Sequence, residues 1–160
     1  MTDEQLATED VERLLDLTED LRTLQTIVGY TNKAHGFREE SDRVKASGDV
    51  EALRRLQGNA LMLIVGEASE AHEQIRDGRA ADETYYPTAG FEVVSGGETE
   101  WVDSQPIQGL HKPEGVPSEI ADIVIRCLDF ADNFGFDLGD IIAEKMAYNQ
   151  TRPYKHGRTF

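Results

Sequence analysis

The chain has 160 residues, 39% of them hydrophobic, which suits one folded domain with a modest core and argues against disorder. Its 16 basic and 31 acidic residues leave a formal net charge of −15, so duplex DNA and anionic membranes are poor partners. No apolar run nears the roughly 18 residues of a membrane span, the acidic start MTDEQLATEDVER lacks the regions of a secretory signal, and the lone Cys127 fits a reducing cytoplasm.

In chain order, residues 8–34 carry Leu14, Leu17, Leu21, Leu24 and Val28 at spacings of three and four, the seam of a packed helix. Gly36 is its stop signal. A second helix is predicted over 49–76, with Asp49 as N-cap and an apolar arc of Leu53, Leu56, Ala60, Leu63, Ile64, Ala68, Ala71 and Ile75. Gly78 closes it. Residues 77–117 read as a non-helical insertion. Within it, FEVVSGGETEWV (91–102) alternates on both sides of Gly96 and Gly97, a hairpin signal. A third helix is expected over 118–133, with Ile120, Ile123, Val124, Cys127, Phe130, Ala131 and Phe134 on one face and Gly135 as its stop. A fourth begins at the N-cap Asp137 and runs to about residue 150, before Pro153 and a basic tail. The expected fold is therefore all-α, a single domain over 1–160 with four core helices and a small β-hairpin insertion between helices two and three.

The charged residues that interrupt these apolar faces carry the chemistry. Each helical residue advances about 100° around the axis, which puts Glu67 inside the apolar arc of the second helix and Glu70 at its edge. Burying an ionised carboxylate without a partner costs on the order of several kcal/mol. Glu119 and Asp122 repeat the three-residue spacing along the border of the third helix, and Arg126 lies one turn on. Either pair alone reads as a solvated face, and acids are in any case favoured near a helix N-terminus. Two such pairs on packed helices can instead converge, and a divalent cation with hard oxygen ligands, Mg²⁺ or alternatively Mn²⁺, then relieves their repulsion. His35, His72, His111 and His156 are scattered, so no zinc site competes. On the fourth helix Lys145 and Asn149 fall within the apolar arc of Leu138, Ile141, Ile142 and Met146, so Lys145 is expected to point inward, with Arg152 at the helix end. A lysine and an arginine beside a metal suit phosphate oxygens.

These residues resemble the MazG-like family of all-α nucleoside triphosphate pyrophosphohydrolases. That family carries Glu-Glu-x-x-Glu on one helix and Glu-x-x-Asp on the next; here the matching stretches are GEASE (66–70) and EIAD (119–122). EKMAYNQTRPYKHG (144–157) is similar to the family's Lys-x-x-x-Asn-x-x-Arg segment, and HGF (35–37) to the end of its first helix. The resemblance spans about residues 10–157. It implies a four-helix core, a homodimer or homotetramer, and Mg²⁺-dependent hydrolysis of a nucleoside triphosphate to monophosphate and pyrophosphate. By the same resemblance Glu67, Glu70, Glu119 and Asp122 are metal ligands, and Lys145, Asn149 and Arg152 contact substrate. Arg126 joins the substrate contacts from its place beside Asp122, and Glu70 and Lys145 are the candidates for catalytic proton and charge handling.

Two features depart from the family pattern. Gly66 stands where the first Glu of the motif belongs, and the connection between the two acidic motifs is long. The first departure keeps a second class of function in view: a catalytically weak or inactive bundle that senses nucleotides or binds proteins.

Overall fold

In the computed structural model, residues 3–87, 90–95, 98–103 and 111–152 are described, with side chains described for 18–87 and 111–152. The turn at Gly96 and Gly97, residues 104–110, the tail beyond Arg152, and the side chains of Leu14, Leu17 and Trp101 lie outside the described residues. The architecture is all-α. Its helices are α1 (Asp3–Ala34), α2 (Glu39–Ser47), α3 (Val50–Arg76), α4 (Val116–Phe134) and α5 (Leu138–Gln150). Between α3 and α4 run two antiparallel strands, β1 (Gly90–Ser95) and β2 (Glu98–Asp103), with Gly90 opposite Asp103 and Ser95 opposite Glu98. No described helix is long and apolar enough to cross a membrane.

The chain divides into two compact units. The first holds Met1–Leu61 and Ile125–Phe160, the second Met62–Val124, so α3 and α4 each contribute to both.

Helix ends follow local chemistry. The Asp49 carboxylate accepts from the Ala52 amide at 2.9 Å, and the Asp137 carboxylate accepts from the Asp140 amide at 3.0 Å, each satisfying a donor of the first turn. Arg22 of α1 ion-pairs with Asp137, and with Asp140 at 3.1 Å. The Arg22 hydrogen bond, and then that from the Asp140 amide, hold the Asp137 carboxyl below the usual carboxylate range.

In the first unit α1 departs from its expected seam. Val28 is buried and Leu21 half-buried, but Leu24 is 43% exposed and the buried position is Gln25. Gln25 faces the α4–α5 corner, where its amide nitrogen donates to the Phe136 carbonyl at 2.9 Å and its amide oxygen accepts from the Leu138 amide at 3.1 Å. A corner between helices exposes unpaired backbone groups, and an amide side chain satisfies both at once where leucine satisfies neither.

Helix α2 is an element beyond the four expected. Its nine residues carry no apolar period, and polar bonds attach it to the C-terminal part of α4. The Ser41 hydroxyl and the Lys45 ammonium both reach the Asn133 side-chain oxygen, at 3.1 and 2.7 Å. Just before α2, Arg38 is only 7% exposed, and one terminal nitrogen donates to Asp129 at 2.8 Å and Asp132 at 2.9 Å. Asn32 of α1 donates to the same Asp129 oxygen at 2.6 Å. The α1 backbone comes so close that a Cβ on Gly29 would stand 2.0 Å from an Asp132 oxygen.

Among the described residues the buried hydrophobic side chains are Val28, Ala71, Leu128 and Ala131, a thin core. Polar cross-links therefore carry weight that apolar packing would carry elsewhere. Replacing Gln25 by Leu adds apolar surface but strands the Phe136 carbonyl and the Leu138 amide. The variant is expected to lose about 1–3 kcal/mol in chemical denaturation; equal or greater stability would show that the corner does not need the amide.

Candidate metal centre

The second unit contains both acidic pairs. Glu67 and Glu70 stand on α3, Glu119 and Asp122 on α4. Three of the four come together: one oxygen from each of Glu67, Glu70 and Glu119 lies within 4.8 Å of the others. Glu67 and Glu119 are buried, at 7% and 5% exposure, Glu70 is exposed, and Asp122 is half-buried.

The connection between the helices explains this placement. After Gly78 ends α3, the chain folds back, and the Arg79 guanidinium pairs with Glu83 and stacks over the Tyr85 ring, 4.0 Å from its centroid. The Tyr85 hydroxyl reaches back to Gln74 of α3 at 3.4 Å. Tyr85 and Glu114 then exchange backbone hydrogen bonds of 3.0 and 2.8 Å. Gly115 follows at φ +105°, and a Cβ there would sit 2.3 Å from the Glu83 carbonyl oxygen, so only glycine fits. The Gly115 carbonyl accepts from the Ser118 and Glu119 amides at the entry to α4. The exit of α3 is thereby stitched to the start of α4, and the acids on the two helices face each other.

The electrostatics are unfavourable as they stand. Glu119 lies in the first turn of α4, where the helix dipole favours an ionised acid. Its carboxyl is nevertheless pushed above the ordinary range, first by burial and then by Glu70, Glu67, Asp122 and Glu114. Its side chain accepts no hydrogen bond and forms no ion pair among the described residues. Three carboxylates this close, two of them on buried residues, could hold a hard divalent cation. Oxygens bound to one Mg²⁺ at 2.0–2.1 Å lie roughly 3–4 Å apart, a modest contraction of the spacing found here.

The remaining candidates are placed differently. Lys145, Asn149 and Arg152 belong to the first unit and are exposed, Arg152 lying over the Tyr148 ring at 5.1 Å. The expectation that Lys145 points inward is thus corrected: Ile141 and Met146 on the same arc are exposed as well, so the apolar face of α5 does not define an interior there. Arg126 is half-buried, also in the first unit. A Cβ on Gly66 would meet nothing within 4 Å, so packing does not explain the glycine at that position. Sequence reasoning missed Glu114 and Lys112, which precede α4 and pair at 2.7 Å; the Pro-flanked segment carried no helical period to mark them. Searches against known protein families, curated proteins and solved structures return no match.

The raised Glu119 carboxyl has a measurable consequence. The folded protein holds this proton more tightly than the unfolded chain, so the associated stability is full below the ordinary value of 4.5 and is lost as pH rises through the raised value. In EDTA, Glu119→Gln is expected to raise the melting temperature at pH 7.5 but not at pH 4.5. Equal shifts at both pH values would remove the charge-repulsion argument.

Proposed function

We propose that the chain is a MazG-like nucleotide pyrophosphohydrolase that converts a nucleoside triphosphate to monophosphate and pyrophosphate at a Mg²⁺ or Mn²⁺ site. The observation that carries the reading is the convergence of Glu67, Glu70 and Glu119, with Glu67 and Glu119 buried. The four-helix core of that family, with the β1–β2 insertion as its decoration, belongs to the same proposal.

In this reading Glu67, Glu70 and Glu119 would hold the cation, with Asp122 as the fourth acid of the set. When bound, it offsets phosphate charge and acidifies water at the α–β bond. Glu70, the solvent-facing member of the cluster, accepts the proton of the attacking water. Lys145, Asn149, Arg152 and Arg126 are assigned to substrate on the strength of the family pattern and their neighbourhood in the sequence. Homodimer or homotetramer assembly is supported by one stretch of α3, where Leu61, Met62, Leu63 and Val65 are all exposed. Apolar residues on every side of a helix call for a covering surface.

The test is a panel of ribo- and deoxyribonucleoside triphosphates incubated with Mg²⁺ or EDTA, reading monophosphate and pyrophosphate. Glu67→Ala and Asp122→Ala are each expected to lower turnover on the order of 100-fold; full activity in either would refute the ligand assignment. The second reading, a nucleotide-sensing or protein-binding bundle, is favoured by Gly66 in place of an acid. Calorimetric binding of metal and nucleotide with no product would select it. Light scattering on the full chain is expected to return at least a dimer, and a monomer at micromolar concentration would remove the assembly from the proposal.

A further inference from the structure

Side-chain hydrogen bonds, more than apolar packing, join helix α2 to the first unit. Of its nine residues only Ser41 is buried, and its one branched aliphatic side chain, Val44, is half-buried. Its attachments converge on a short stretch of α4. Ser41 and Lys45 share the Asn133 side-chain oxygen, and Arg38, the N-cap of α2, donates through one nitrogen to both Asp129 and Asp132. Residues three and four apart are neighbours on a helix surface, so one small face of α4 holds the whole segment.

Two further observations bear on how firmly it is held. Left-handed glycines bracket the segment, Gly36 at φ +81° and Gly48 at φ +70°, and a Cβ on Gly48 would meet nothing within 4 Å. The chain can pivot at such positions with little steric resistance. The docked arrangement also carries a cost of its own. The Arg38 Nε is buried without a hydrogen-bond partner among the described residues, and water would satisfy it once the segment lifts away. The junction of α1 with α4 does not need α2. Asn32 donates to Asp129 at 2.6 Å, and Gly29 admits the Asp132 carboxylate close to the α1 backbone.

We propose that residues 38–47 form a strap that leaves α4 as one unit while α1 and α4 stay joined. Lys45 lies over the Phe134 ring, 5.4 Å from its centroid, and Phe134 packs on Phe130 with 4.6 Å between centroids. Opening of the strap uncovers this aromatic pair. Few buried apolar contacts and an exposed helical backbone are the marks of a segment that opens locally, ahead of the global unfolding transition. The inference uses residues of the first unit alone and is independent of the metal-site reading.

Native-state hydrogen exchange on the full chain, read amide by amide by NMR, tests it. In the wild type the amides of residues 42–47 are expected to share one opening constant, at least roughly tenfold larger than those of the α1 and α4 amides around Asn32 and Leu128. Asn133→Ala removes the acceptor that Ser41 and Lys45 share. It is expected to raise the α2 constant about tenfold and to leave the α1 amides unchanged. Protection graded from the two ends of α2 inward would mean ordinary fraying and would overturn the strap, as would α2 amides that exchange as slowly as those of α1 and α4. Asn133→Ala that speeds α1, α2 and α4 alike would also overturn it, since Asn133 would then support the unit as a whole.

Discussion

Repulsion among buried carboxylates is the constraint on which the second unit depends. Glu67 and Glu119 have each lost most of their water, Glu70 and Asp122 add charge nearby, and the first turn of α4 cannot compensate them. Nothing in the apolar pattern of α3 calls for an acid at position 67, where the helix wheel has room for leucine. The Tyr85–Glu114 backbone pairing and the close approach at Gly115 press the two helices' acids into one place. A structure that assembles like charges in this way has two exits at neutral pH, to protonate one carboxylate or to recruit a cation. The second exit leaves the remaining carboxylates ionised and able to accept a proton, which a hydrolytic role needs.

What the sequence disclosed and what it hid divide along physical lines. Glu67 stood out because a charge on an apolar arc violates a period of 3.6, and such violations are visible without coordinates. Asp49 and Asp137 were legible as caps because side-chain capping is local. Gln25 was not, because the groups it satisfies at Phe136 and Leu138 are distant in sequence, and the leucine seam pointed one residue away. Helix α2 has no apolar face and owes its place to polar bonds with Asn133. Lys112 and Glu114 sit in an aperiodic segment whose relation to α4 comes from the pairing with Tyr85. Lys145 shows the converse error: an apolar arc predicts an interior only when something covers it, and much of α5 is exposed.

The first unit solves a different problem with similar means. With few apolar side chains fully buried, it ties α1, α2 and α4 together through Arg38, Asn32, Asp129 and Asp132. Arg38 holds two acids at once, while its buried Nε has no hydrogen-bond partner among the described residues. Bonds of this kind are directional, so they specify how helices meet more strongly than they stabilise the meeting.

The scarcity of positive charge also bears on the order of events in the proposed reaction. A polyphosphate and the Glu67–Glu70–Glu119 cluster repel each other before any cation is present, and desolvation at Glu119 strengthens that repulsion. In the proposed reaction the cation therefore binds before the phosphates or with them. In the proposed reading the same excess of acid makes a small phosphate ligand conditional on metal.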